Sequence, residues 1–148
     1  MVARTLAVLL AIGMASPAWA ETASDYLQPC GGDRTCEVQR GEFTEAFSAA
    51  LKRDYQGQRN VSFCLYDGCD GAVRVNRTLG CAWRLVILNA GSPKADNTDV
   101  SFFDARCRSR LSGTEQSLMN AQGREIFRRV YGRAAPEPFV GVMTGARR

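Results

Sequence analysis

The amino-acid sequence predicts an all-α protein, a small helical domain stapled by disulfides. Three observations carry this expectation. Apolar residues recur at intervals of three and four along several separate segments. Residues that cap or stop helices stand at the ends of those segments. Six cysteines, Cys30, Cys36, Cys64, Cys69, Cys81 and Cys107, are spread along the chain, an even number suited to pairing.

The first twenty residues, MVARTLAVLLAIGMASPAWA, have the three-part order of a secretory signal. Arg4 supplies the positive start, Leu6 to Met14 form a short apolar run, and Ala18-Trp19-Ala20 fits the small-x-small cleavage pattern. The run falls short of the ~20 apolar residues that span a bilayer. Residues 1–20 are therefore read as a signal peptide, and fold reasoning starts at Glu21. The 128 residues that remain are the size of one domain.

Export places the cysteines in an oxidising compartment and favours structural disulfides. No spacing is Cys-x-x-Cys, which argues against thioredoxin-like and zinc-ribbon sites. Six cysteines allow 15 connectivities, so their pairing stays open at this level. The chain contains no histidine. Ser-His-Asp, Cys-His and two-histidine hydrolase sites are thereby excluded. Without Arg4 the chain carries 18 basic and 15 acidic side chains, a mild balance that does not point to nucleic acid.

Residues 21–40 are polar and broken by Pro29, Gly31 and Gly32, and they read as an irregular N-terminal segment with room for a Cys30–Cys36 bridge. A helical domain is expected over 41–133. Its first helix carries Phe43, Phe47, Ala50, Leu51 and Tyr55 on one face, with Gly57 as its stop. Residues 61–75 admit two readings, a hairpin with Val61-Ser62-Phe63 and Val73-Arg74-Val75 as strands, or a helix ending at Asp67-Gly68. The helix is favoured, because a lone hairpin is only marginally stable.

Asn76 is placed to cap the next helix. Leu79, Ala82, Trp83, Val86, Ile87 and Ala90 form one apolar face of it, and Cys81, Leu85 and Leu88 a second. Only Arg84 and Asn89 are polar after its start, so this helix should be buried on most sides. Gly91 ends it. Asp99 is the expected cap of a helix bearing Val100, Phe103, Cys107 and Leu111. Ser112 to Glu115 form a capping box before a last helix that runs to Tyr131, with Leu118, Met119, Ile126, Phe127, Val130 and Tyr131 inward. Gly132 stops it, and 134–148 read as a loosely ordered tail.

Residues with chemistry are few. Asp67 with Asp70, and Asp96 with Asp99 and Asp104, lack the alternating ligands of an EF-hand, and turns and caps account for them. Asp104 and Arg108 sit four apart, as a surface ion pair would. Glu42 and Glu45 have no spacing that marks a glycosidase pair. Asn60-Val61-Ser62 and Asn76-Arg77-Thr78 are glycosylation sequons only where the source glycosylates exported proteins. No acid, base or ligand set is expected to converge on 76–91. Arg124, Arg128, Arg129 and Arg133 lie close together and form a candidate surface for an anionic partner.

The stretch from Ala72 to Gly91 resembles the second half of a Sel1-like repeat, a relative of the tetratricopeptide repeat built from helix pairs. Val73 after the loop, Asn76 at the helix start, Gly80 four further on, Trp83 three later and the closing Gly91 stand in the family's order. Leu65-Tyr66-Asp67-Gly68 resembles the end of the preceding helix. The chain departs from the pattern at Ala72, where a glycine is usual, in a loop one residue longer, and at Ile87 and Leu88, which replace paired alanines. One unit is covered. A single repeat cannot bury its own faces, so flanking helices are expected to cap it.

The resemblance implies an antiparallel helix pair in which Gly80 permits close approach and Trp83 fills the space beneath the next helix. In such a pair Cys64 and Cys81 would stand at one height and be bridged, leaving Cys69 for Cys107. It further implies a non-catalytic protein, without cofactor or metal, that binds another exported or envelope protein. A bacterial periplasm is the expected location, with secretion as the alternative. The competing reading is an enzyme or inhibitor acting on cell wall or polysaccharide through surface carboxylates and the arginine-rich last helix.

Overall fold

The computed structural model describes residues 22–142. The expected signal peptide, 1–20, and the end of the tail, 143–148, lie outside the described residues. The protein is all-α. Helices α1 (Arg34–Leu51), α2 (Tyr55–Asp67), α3 (Arg77–Asn89), α4 (Asn97–Phe102) and α5 (Gly113–Tyr131) make up the domain. A 3₁₀ turn at Ala23–Asp25 precedes them, and a π-helical turn at Phe103–Arg108 continues α4. Among the described residues no strand forms, and Leu27 and Val73 make an isolated antiparallel bridge.

Helix α3 is the centre. Every residue from Leu79 to Asn89 is buried, as its two apolar faces require. It packs against α2 on one side and α5 on the other, with α1 outside α2 and the π turn across its remaining face. Asn76 caps it by accepting from the Leu79 N–H at 3.0 Å. The Gly80 position explains the close fit with α2. A Cβ there would stand 2.8 Å from the Ser62 carbonyl oxygen and 2.9 Å from the Tyr66 nitrogen, distances no side chain tolerates. Trp83 is buried, but it meets Phe47 of α1 edge-on with centroids 6.2 Å apart. It thus fills space under a preceding helix.

Four expectations about element ends need correction. The first helix starts at Arg34 rather than at 41, because Asp33 accepts from the Cys36 N–H at 2.8 Å and caps it. Gly41 is simply carried inside. Gly57 does not stop that helix. The chain turns at Arg53, whose φ is +70°, Asp54 caps α2, and Gly57 lies within α2 where a Cβ would come 2.7 Å from the Ala50 nitrogen. Tyr55 accordingly begins α2. The cap of α4 is Asp96, which accepts from the Thr98 N–H at 2.8 Å, while Asp99 answers the Asp96 N–H and turns inward.

Part of the described tail packs on the domain. Phe139 is buried against Gly123 of α5, and the Val140 carbonyl accepts from Asn89 Nδ2 at 2.9 Å. Leu118 departs from expectation in the other direction, since it is 51 % exposed. The inward arc of α5 runs through Met119, Gly123, Phe127 and Val130, and Leu118 stands about 100° off it.

Three disulfides staple the domain: Cys30–Cys36, Cys64–Cys69 and Cys81–Cys107. The first agrees with the sequence reading. The Cys64–Cys81 and Cys69–Cys107 bridges do not form. Gly80 is the residue that faces α2, so Cys81, about 100° further round the helix, points away from Cys64 and toward the π turn. After α2, Gly68, Cys69, Asp70 and Gly71 all adopt positive φ. This left-handed turn brings the Cys69 Cα within 4.9 Å of the Cys64 Cα.

Candidate functional site

An arginine inside an apolar helix must find an acid or cost several kcal/mol. Arg84 is 2 % exposed and ion-pairs with Asp99, which is fully buried. Its Nε donates to Ser62 Oγ at 3.2 Å, and its guanidinium lies 4.2 Å over the Phe102 ring. Ser62 in turn donates to the Gly80 carbonyl at 2.8 Å. Asp99 accepts from the Tyr55 hydroxyl at 2.7 Å and from the Asp96 N–H at 3.2 Å, and Arg59 Nε stands 3.6 Å from it. Arg59 also donates to Thr98 Oγ1 at 2.7 Å.

Burial pushes the Arg84 guanidinium below its usual range, opposed by the charge of Asp99. Burial, with the bond to Asp99, raises the Tyr55 hydroxyl. The 76–91 stretch therefore does have an acid converging on it, contrary to expectation. The carboxylate is occupied on both oxygens, so the cluster ties α4 to α2 and α3 and has no free base to offer.

The arginines proposed as an anionic-partner surface are largely engaged. Arg124 pairs with Glu137, its Nη2 lying 3.1 Å from Oε2. Arg128 Nε donates to Glu125 at 2.9 Å, and the Arg133 guanidinium lies 4.9 Å over Phe127. Arg129 lines a groove of about 250 Å³ with Leu79, Leu118, Ala121, Glu125 and Ile126. The groove runs between the start of α3 and the outer side of α5 and is mostly apolar. The Asp104–Arg108 surface pair forms, at 3.1 Å.

A second cluster surrounds Tyr66 at the end of α2. Phe102 meets its ring edge-on at 5.5 Å, and the guanidiniums of Arg77 and Arg106 lie 5.7 and 5.4 Å from its centroid. Among the described residues no group of three or more histidines, cysteines, aspartates or glutamates is placed to hold a metal ion. No helix among them is long and apolar enough to cross a membrane.

Fold and surfaces together define a small all-α domain stapled by disulfides, with a buried ion-pair cluster inside and an apolar groove and a basic–aromatic cluster outside. No protein-family model, curated protein or solved structure matches the chain.

Proposed function

We propose that this protein is an exported, non-catalytic helical domain that binds another protein of the bacterial envelope. The signal-like first twenty residues and three disulfides support the exported part. One observation carries the binding part: Gly80 seats α3 against the backbone of α2 at Ser62 and Tyr66. This close packing supports the helix pair that the Sel1-like resemblance implies, and such pairs present their outer faces to protein partners. The apolar groove around Leu118 is the face on offer. An apolar side chain of the partner entering it gains ~25 cal/mol per Å² removed from water.

Immobilised protein challenged with envelope extract tests the reading, with peptidoglycan sedimentation run beside it. Wild type should retain a discrete protein that Leu118→Glu retains at least about tenfold less well, given the cost of burying a charge. Co-sedimentation with peptidoglycan that is lost on replacing Arg124, Arg128 and Arg129, with no protein retained, would replace this reading by the cell-wall one.

A further inference from the structure

Tyr66 is buried, and its hydroxyl donates to the Arg106 carbonyl at 3.3 Å, fixing the π turn against α2. Its ring then holds two exposed guanidiniums, those of Arg77 and Arg106, while Phe102 behind it carries the buried Arg84. The stack runs from the surface arginines through two aromatic rings into the Arg84–Asp99 pair. Both surface cations are thus held by rigid neighbours instead of trailing in solvent. Of the exposed or half-exposed arginines, Arg40, Arg108, Arg124 and Arg128 each sit against a carboxylate, whereas, among the described residues, the exposed Arg34, Arg74 and Arg110 do not. Arg77 and Arg106 sit against none among the described residues. Their charges are no farther apart than the two ring distances laid end to end, on the order of one Debye length. Like charges at that range repel, and an anion near both relieves the repulsion.

We propose that Arg77 and Arg106 form a clamp for a carboxylate in an acidic segment of the protein partner, an inference that rests on the protein-binding reading above. Guanidinium forks match carboxylates in two parallel hydrogen bonds. Val75, two residues before Arg77, is exposed and gives the same segment an apolar contact. A lipid surface fits less well. Anionic membranes are read by clusters of about four to eight basic residues, whereas the Tyr66 ring gathers two.

The test is fluorescence anisotropy with a short labelled poly-L-glutamate, comparing two variants of equal charge change. Arg77→Gln/Arg106→Gln should weaken binding about tenfold or more, and Arg124→Gln/Arg128→Gln less than about twofold. Arg77→Lys/Arg106→Lys keeps the charge without the fork and should fall between wild type and the glutamine pair. Equal losses in the two glutamine variants, or full binding by the lysine variant, overturn the clamp. So does binding to phosphatidylglycerol vesicles that exceeds binding to poly-glutamate and depends on Arg77 and Arg106. A partner lost on Leu118→Glu, together with no selective loss at Arg77 and Arg106, sinks the clamp alone. The selective poly-glutamate loss, with no protein retained from extract, supports the carboxylate chemistry and sinks the envelope-protein reading alone.

Discussion

Asp99→Asn leaves the Arg84 charge buried without a counter-charge, with only neutral groups around it: the new amide, the Ser62 hydroxyl and the Phe102 ring. Breaking a buried pair by removing one member typically costs about 3–5 kcal/mol, because the remaining charge is stranded. Here the upper half of that range applies, since Arg84 is 2 % exposed and Arg59, the second cation beside Asp99, loses its counter-charge too. Arg84→Met is milder. Asp99 then keeps the Tyr55 hydroxyl, the Asp96 N–H and Arg59 at 3.6 Å, so a loss of about 2–3 kcal/mol is expected. The double variant leaves no fully buried charge unpaired and should be less damaged than the sum of the two, with a coupling of about 2 kcal/mol or more.

Urea unfolding at neutral pH with the disulfides intact measures this directly; guanidinium chloride would screen the interaction under study. A domain of this size holds about 5–15 kcal/mol, so each variant remains measurable. Additive losses, or an Asp99→Asn cost below about 1 kcal/mol, would show that the cluster is no stronger than a surface pair and refute the reasoning.

Removing the disulfides one at a time should rank them by loop length, at about 3.5 kcal/mol for Cys81–Cys107 and about 2 kcal/mol for each of the other two, read by urea midpoints of Cys→Ala pairs. A non-reducing peptide map should join Cys64 to Cys69 and Cys81 to Cys107. Gly80→Ala forces a methyl into the α2 backbone and should cost about 1–3 kcal/mol. Gly41→Ala meets nothing within 4 Å and should stabilise α1 by about 0.5–1 kcal/mol, so equal effects at the two sites would contradict the packing described. On the acid side, the Glu115, Glu125 and Glu137 carboxyls are held below their usual range by the Ser112 N–H, Arg128 and Arg124 respectively. Their stabilising effect is therefore present above the ordinary carboxylate value of about 4.3 and lost as pH falls through the lower folded-state values. The thermal midpoint should drop below about pH 4 and drop less in Glu137→Gln, and a midpoint rising on acidification would contradict these pairs.

Local chemistry is legible in the sequence where a few adjacent residues decide it. Asn76 and the Ser112–Glu115 box each act within one turn, so both caps and the glycines after them can be placed directly. Gly57 misleads for a reason of the same kind. A glycine reads as a stop by local preference, but here it answers the approach of Ala50 from another helix, which no window around 57 contains. Cys81 is different, because the chain does hold the missing information. If Gly80 faces α2, the 100° step of a helix turns Cys81 away from it, and that step by itself excludes the pairing with Cys64.

The charged clusters are harder to read because their members lie far apart along the chain. Arg84 reads as an interruption of an apolar run, yet a charge with apolar neighbours on both sides is a demand for a partner. Asp96 and Asp99 are the first acids downstream, and the place of Asp99 just before Val100 makes it look like a cap instead. Its neighbour Asp96 takes the cap because an aspartate at the first position of a box needs a second acid three residues on, and that second acid is free to point inward. The Tyr66 clamp joins α2, α3, α4 and the π turn, and no spacing rule links residues 66, 77, 102 and 106. What makes it a coherent site is the same device that makes α3 a coherent core. Phe102 meets Tyr66 edge-on and carries Arg84 over its ring, so a substitution that frees Arg84 should also loosen the surface arginines. If the clamp binds as proposed, Asp99→Asn should weaken poly-glutamate binding although residue 99 touches neither arginine of the clamp. Unchanged binding in a folded Asp99→Asn protein would mean that the surface pair is held by Tyr66 alone.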